Sequence, residues 1–297
     1  MLSLLLAVPA PRSPARATAL EVEHLTTPLG IDAVQPRFSW QVSDARPGAR
    51  QSAYQILVAT TPGRLALGHT DAWTSGEVRS AATIDIPYGG RTLAPRTRYY
   101  WTVCIKDRDG RAAPCAPATW FETGMMATAW RAQWIAANRA MLDTLPHDPL
   151  DGDTTSTDGR PPLLRKALDL KAMPVRARIY ATALGSYRLT INGRPASRAV
   201  FTPDWTDYRD RVTYQTYDVT SLVHRGPNAL GVLLGAGWYA SRFGFSSKRY
   251  AYGPPPVRLL LELHLTYADG HEDVVTSDSS WRTAPSPVLL SEIYDGE

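Results

Sequence analysis

Lysine is scarce in this chain: it stands only at 106, 166, 171 and 248, so nearly all of the 32 basic residues, set against 28 acidic ones, are arginines. Those arginines are scattered between acids instead of forming a stripe, and the net charge of +4 therefore argues against a nucleic-acid surface. Long apolar runs are also missing. None approaches the roughly 20 residues of a membrane-spanning helix. Glycine-rich phosphate loops, dinucleotide fingerprints and paired-cysteine zinc spacings are absent, which removes the commonest nucleotide and structural-zinc readings. Helical periodicity is almost absent too. At 44% hydrophobic and 20% charged, the composition still supplies a core and excludes a disordered chain. A length of 297 residues is enough for about two domains.

What the chain does contain is alternation. Phe38 to Val42, Tyr54 to Ala59, Tyr99 to Ile105, Val175 to Ala181, Tyr187 to Ile191 and Leu259 to Tyr267 alternate apolar with polar residues and end at Gly, Pro, Asn or Asp. Short alternating runs punctuated this way indicate an all-β chain of two tandem β-sandwiches. The expected organisation is a leader or disordered stretch over 1–19, a first sandwich over 20–124, a connecting segment over 125–162 and a second sandwich over 163–297. Two readings remain for the leader. Leu2 to Val8 followed by Ala15-Arg16-Ala17 fits an export signal with an A-x-A site, although a basic n-region is lacking, and a plain disordered tail fits as well. The connector carries Pro146, Pro149, Gly152 and a Thr154-Thr155-Ser156-Thr157 run with no apolar face, the composition of a solvated loop. Trp130 and Trp134 before it are expected on an extended segment of the second unit.

Cys104 and Cys115 flank Asp107-Arg108-Asp109-Gly110. A two-residue hairpin turn centred on Asp109-Gly110 places them directly opposite, close enough for a disulfide, which suits a periplasmic or extracellular location. A longer loop, or a register shift at Pro114, leaves them as unbonded thiols. Asn192-Gly193 and Asp269-Gly270 each read as two-residue hairpin turns.

Catalytic groups are harder to find. His24, His69, His147, His224, His264 and His271 show no metal spacing and no nearby nucleophile motif, and read as solvent-facing or turn residues. Carboxylates pair in sequence at Asp204/Asp207, Asp269/Glu272 and Asp295/Glu297, but a glycosidase needs two placed on opposite sides of a sugar bond, roughly 5 to 9.5 Å apart. Turn neighbours do not establish that. Four stretches gather aromatic, amide and acid side chains in loops: Phe201 to Tyr208, Tyr217 to Thr220, Gly226 to Leu230 and Gly235 to Tyr239. Asn192, Asp204, Trp205, Asp207, Tyr208 and Trp238 are thus the candidate carbohydrate-binding residues, since sugars present hydroxyls to polar groups and C–H faces to rings. The alternative makes the rings plugs closing the end of the sandwich, with Asp207 and Asn192 satisfying turn backbone.

Leu93-Ala94-Pro95-Arg96-Thr97-Arg98-Tyr99, followed by Trp101, Val103 and Ile105, resembles the tyrosine corner of a fibronectin type III module, with Trp40 as a buried aromatic of an earlier strand. Further blocks extend the likeness over most of the chain. In the first half they are Pro28-Leu29-Gly30-Ile31-Asp32, Pro36-Arg37-Phe38-Ser39-Trp40, Ala53-Tyr54-Gln55 and Trp73-Thr74-Ser75-Gly76. In the second they are Tyr180 to Gly185, Asn192-Gly193, Trp205-Thr206-Asp207-Tyr208, Arg211 to Thr220, Gly237-Trp238-Tyr239 and Ile293 to Glu297. In order and spacing these resemble the N-terminal region of bacterial α-L-rhamnosidases, inverting glycoside hydrolases that release terminal rhamnose. The resemblance implies a jelly-roll-like second sandwich and a rhamnose-containing glycoside as partner. It also implies a catalytic (α/α)6 barrel downstream, so no general acid or base is carried over to this chain. The Met141 to Pro162 insertion and Ala236 depart from the family's pattern. Rhamnosidase scaffold, stand-alone carbohydrate-binding protein and structural two-sandwich protein remain the functional alternatives. No cofactor, metal, membrane or nucleic-acid partner is expected, and calcium is left open.

Overall fold

The computed structural model describes residues 15–65, 70–138, 160–241, 252–253, 256–289, 291 and 293. The chain is all-β and divides into two compact units, Met1–Thr128 and Ala129–Glu297. His69, His147, the Asp295/Glu297 pair and the 139–159 part of the connector lie outside the described residues.

The first unit contains β1 (Arg16–Val22), β2 (Arg37–Ser43), β3 (Gln51–Ala59), β4 (Trp73–Thr74), β5 (Ile86–Pro87), β6 (Arg98–Asp107) and β7 (Thr119–Glu122). They form sheets ordered β1-β2-β5 and β4-β3-β6-β7, with every pair antiparallel. Alternation along β2, β3 and β6 aims Phe38, Trp40, Ile56, Val58, Trp101 and Val103 inward, and Phe38 meets Trp101 with ring centroids 4.7 Å apart. The Tyr99 hydroxyl accepts the Ala94 N–H at 2.9 Å, closing the corner anticipated from the L-x-P turn. Replacing Tyr99 with Phe leaves that N–H without its acceptor and is expected to cost about 1–2 kcal/mol, measured by chemical denaturation. An unchanged midpoint would show the corner to be ornamental.

β1 begins inside the stretch set apart as a leader. Ala15 and Ala17 are buried in the core, and Ala17 faces Val42 on β2. Both alanines of the A-x-A pattern thus fill a sandwich interior. The hairpin after β6 also differs from a two-residue turn. Lys106 bridges Ala112, and the Asp107 carbonyl accepts from Gly110 while its N–H reaches Arg111, giving a three-residue loop with Gly110 at φ 77°. Asp107 Oδ1 accepts the N–H groups of Asp109 and Arg111, which holds the loop from within. The register moves by one residue between Ala113, which donates to Ile105, and Ala116, which donates to Val103. Pro114 lies in that interval, and the shift returns Cys115 to Cys104, to which it is disulfide-bonded with Cα atoms 4.0 Å apart. The longer loop and the bridge therefore coexist.

The second unit contains β8 (Pro162–Leu170), β9 (Arg176–Leu184), β10 (Ser186–Ile191), β11 (Arg194–Pro195), β12 (Gln215–Asp218), β13 (Gly226–Gly235), β14 (Arg258–Thr266), β15 (Glu272–Thr276) and β16 (Arg282–Pro285). A single helical turn, α1 (Gly237–Ala240), follows β13. One sheet runs β11-β10-β13-β8-β16 and the other β12-β9-β14-β15. Ile179, Ala181, Leu189, Ile191, Leu230, Val232, Leu261 and Leu263 fill the space between them. Gly226 to Leu230 and Tyr217 to Thr220, read from sequence as loops, mostly belong to β13 and β12. In β13 the residues Asn228, Leu230, Val232 and Leu234 alternate inward, so burial outweighs the turn-forming tendency of Gly226-Pro227-Asn228. Asn192-Gly193 is the expected two-residue turn, both residues at positive φ with Ile191 facing Arg194. Asp269-Gly270 instead closes a three-residue loop between Tyr267 and His271. Asparagine tolerates the left-handed conformation that a two-residue turn demands, while each aspartate here precedes a left-handed glycine.

Residues 131–135 lie against the second sandwich as an extended segment. Gln133 donates to the Ser277 carbonyl, and Ile135 and Leu259 exchange backbone hydrogen bonds.

Candidate functional site

The six carbohydrate-binding candidates do not converge. Asn192 sits at the far end of the β10–β13 pair. Its amide donates to the Leu222 carbonyl and the Asn228 side chain, and its Oδ1 accepts the Ala229 N–H. Those three bonds use it up as a turn residue. Ile191 pairs with Leu230 and Ser186 with Gly235, so Asn192 and Trp238 lie at opposite ends of these strands, roughly 20 Å apart at strand rise. Sequence spacing had no means of telling one end from the other.

The remaining five gather at the Ser186/Gly235 end. The loop after β11 is tied down at Thr202, whose hydroxyl donates to the Tyr187 carbonyl at 3.0 Å while its carbonyl accepts the Tyr187 N–H. Beyond that anchor, Trp205 stacks on Trp238, with centroids 5.2 Å apart and planes within 13°. The Trp205 indole N–H donates to the Tyr252 hydroxyl at 3.0 Å. Tyr208 packs edge-on against Tyr239 and tilted against Tyr252, and its hydroxyl donates to the Asp204 carbonyl. Burial pushes the Tyr208 phenol up to about 12, so it works here as a neutral plug. Trp205 is the exception at 51% exposed, with one indole face on Trp238. Asp207 is engaged by a two-pronged hydrogen bond from the Arg209 guanidinium, which holds its carboxyl below the usual range, and by the Arg209 N–H. Asp204 is exposed. Tyr208 and Asp207 are thus structural, while Trp205, Trp238 and Asp204 keep surface to offer.

A cavity of about 500 Å³ opens beside this cluster, on the outer side of the β10–β13 pair. Arg188, Arg198, Phe201, Leu233, Ser186 and Ser291 line it. Neither arginine was singled out from sequence, since exposed arginines in alternating segments look like ordinary solvated positions.

His264 corrects the reading of the histidines as solvent-facing. It lies in the middle of β14, 7% exposed, with Nε2 2.7 Å from the Glu262 carboxylate and its ring edge-on to Tyr180. Glu262 is 1% exposed and its Oε1 accepts the N–H groups of Arg131 and Ala132. The signal was present in Leu261-Glu262-Leu263-His264-Leu265, where leucines and ionisable residues alternate between two faces that are both buried. Among the described residues, no three His, Cys, Asp or Glu side chains gather into a metal-binding group, and no helix is long and apolar enough to cross a membrane.

Comparison with known proteins places this architecture. Residues 172–297 match the α-L-rhamnosidase N-terminal domain, and residues 17–127 match the Rha78A-like N-terminal immunoglobulin domain. The chain corresponds to an N-terminal portion of α-L-rhamnosidase-like proteins. An α-L-rhamnosidase of Streptomyces avermitilis is 30% identical over an alignment covering 95% of this chain and 42% of that protein. One from Formosa agariphila is 35% identical, covering 93% of this chain and 30% of its own length. In structure, the Streptomyces avermitilis α-L-rhamnosidase complexed with L-rhamnose superposes with a TM-score of 0.85 at 29% identity, over 95% of this chain and 42% of that one. The native enzyme from Aspergillus terreus gives 0.80 at 34% identity, over 95% and 31%. The chain thus spans between 30% and 42% of the length of these rhamnosidases.

Proposed function

We propose that this chain is the scaffold region of a secreted or periplasmic α-L-rhamnosidase that removes terminal α-L-rhamnose from glycosides with inversion. The observation that carries this reading is the match of both units, in order, to the N-terminal portion of rhamnosidases. The inverting chemistry, protonation of the glycosidic oxygen while a carboxylate-activated water attacks the opposite face, is assigned to downstream sequence. Two of the carboxylates in the second sandwich are already engaged, which supports that assignment. Asp207 is held by Arg209, and Glu262 is buried against backbone N–H groups and His264. The Cys104–Cys115 disulfide supports an oxidising compartment. A cut after Ala17 would remove Ala15 and Ala17, which are buried in the core of the first unit.

Incubated with an aryl α-L-rhamnoside, the 297-residue chain is expected to release nothing above buffer, and the product that continues through the downstream reading frame is expected to turn it over. Turnover by the 297-residue chain itself, or a stop codon directly after Glu297, overturns the proposal. The finer reading gives Trp205 a sugar-stacking role beside Asp204. Rhamnose titration followed by Trp fluorescence, with Trp205→Ala checked for folding by circular dichroism, tests it. A saturable change lost in a folded Trp205→Ala supports the role, and no saturable change at millimolar sugar rejects it.

A further inference from the structure

We propose that the cavity beside the aromatic cluster binds a sugar that carries a carboxylate, as a uronic acid does. Its charge comes from Arg188, on the outward face of β10, and Arg198, on the segment after β11. Among the described residues, neither guanidinium has an ion-pair or hydrogen-bond partner. Arg37, Arg46, Arg98, Arg178 and Arg209 are each paired with a carboxylate at 3.1 Å or less, and Arg188 and Arg198 differ from other unpaired arginines, such as Arg79 and Arg165, in lining this cavity together. Two guanidinium forks without acids, opening on one cavity, match an anion, and the planar fork suits the two oxygens of a carboxylate.

The rest of the lining matches a pyranose ring. Phe201, 62% exposed, and Leu233 give apolar surface for a C–H face, and Ser186 and Ser291 give hydroxyls that donate and accept. Gly235 keeps the floor open. A Cβ there would lie 2.5 Å from Ser291 Oγ and 2.8 Å from Ser186 Oγ, so any side chain would displace both hydroxyls. A cavity of about 500 Å³ falls within the range of small-ligand sites. Charge, hydroxyls and an aromatic wall together select an acidic saccharide over a bare anion or a neutral sugar. The inference rests on reading the chain as part of a protein that handles glycosides, but its test needs no glycosidase activity.

Calorimetric titration of the 297-residue chain with methyl β-D-glucuronoside at low salt should give saturable binding. Methyl β-D-glucoside should bind at least about tenfold more weakly, as expected for loss of a charge-assisted hydrogen-bond pair. Arg188→Gln and Arg198→Gln, both at exposed positions, should each lose about tenfold while keeping the wild-type circular dichroism spectrum. Phe201→Ala should weaken the glucuronoside and leave sulfate unaffected. Equal binding of glucoside and glucuronoside overturns the charge assignment. Sulfate competing as tightly as the glucuronoside reduces the site to a plain anion hole and overturns the sugar. No saturable binding overturns the proposal outright, whether or not the longer product proves to be a rhamnosidase.

Discussion

Glu262→Ala is expected to destabilise the second unit by about 3–5 kcal/mol, because two backbone N–H groups and a buried imidazole lose the acceptor they share, at about 1–3 kcal/mol for each unmet group. The carboxylate sits on β14, 1% exposed, and serves two functions at once. One oxygen accepts the N–H groups of Arg131 and Ala132, and the other takes the Nε2 of His264 at 2.7 Å. Truncation strands two backbone donors and a buried imidazole, and each unmet group bears its own desolvation cost. It also removes the staple that fastens the extended 131–135 segment to the sheet, leaving the Ser277–Gln133 and Leu259–Ile135 contacts to hold it. Denaturant unfolding followed by far-UV circular dichroism reads the effect, and a loss below about 1 kcal/mol would show that water replaces the carboxylate without penalty. Glu262→Gln keeps an acceptor for the N–H groups and is expected to fall between wild type and alanine.

The same group sets a pH dependence. Burial pushes the Glu262 carboxyl up, but the His264 hydrogen bond and the Ala132 and Arg131 N–H groups outweigh it and leave the carboxyl below its ordinary value near 4.5. A carboxyl whose value is lower folded than unfolded adds stability that is fully present above the unfolded value and lost as pH falls through the folded one. The second unit is therefore expected to weaken as pH drops below about 4.5, and Glu262→Gln to flatten that slope. An unchanged slope in the variant would place the acid sensitivity elsewhere.

How much of this was legible in the sequence depended on whether local residue preferences agreed with the burial pattern of each strand. β2, β3, β6, β9, β10 and β14 all contain the alternating runs that announced them. β13 was obscured by Gly226, Pro227 and Asn228, whose local preference for turns yields to the burial of Leu230, Val232 and Leu234 between two neighbours. β1 was obscured because Ala15 and Ala17 are as apt for a sandwich core as for a cleavage site. For the site, Trp205 and Tyr208 reach Trp238 because Thr202 fixes their loop to the start of β10, which pairs with the end of β13 just before Trp238, a long-range arrangement with no local signature. Asn192 shared their composition but not their location. Arg188 and Arg198 carried no signal at all, since what distinguishes them is that two segments bring both to one cavity.

Reducing the Cys104–Cys115 disulfide is expected to cost the first unit about 3 kcal/mol. The bridge closes a loop of sequence separation 11, and freeing a loop of that size in the unfolded chain returns roughly that much conformational entropy at 25 °C. Native contacts limit any further loss. Asp107 holds the turn through the N–H groups of Asp109 and Arg111, Arg46 bridges Asp44, Asp107 and Asp109, and Ala113 and Ala116 stay bonded to β6. The hairpin should therefore survive reduction while the unit unfolds at lower denaturant. The second unit has its own core and no cysteine, so its transition should not move. Cys115 is exposed, which gives a thiol reductant access to the bond. Denaturation with and without dithiothreitol separates the two units. A Cys104→Ser/Cys115→Ser variant should match the reduced wild type and ignore the reductant. If the first transition keeps its midpoint under full reduction, with two thiols titrated, the bridge adds nothing to folding and the hairpin is held by Asp107, Arg46 and its backbone bonds to β6.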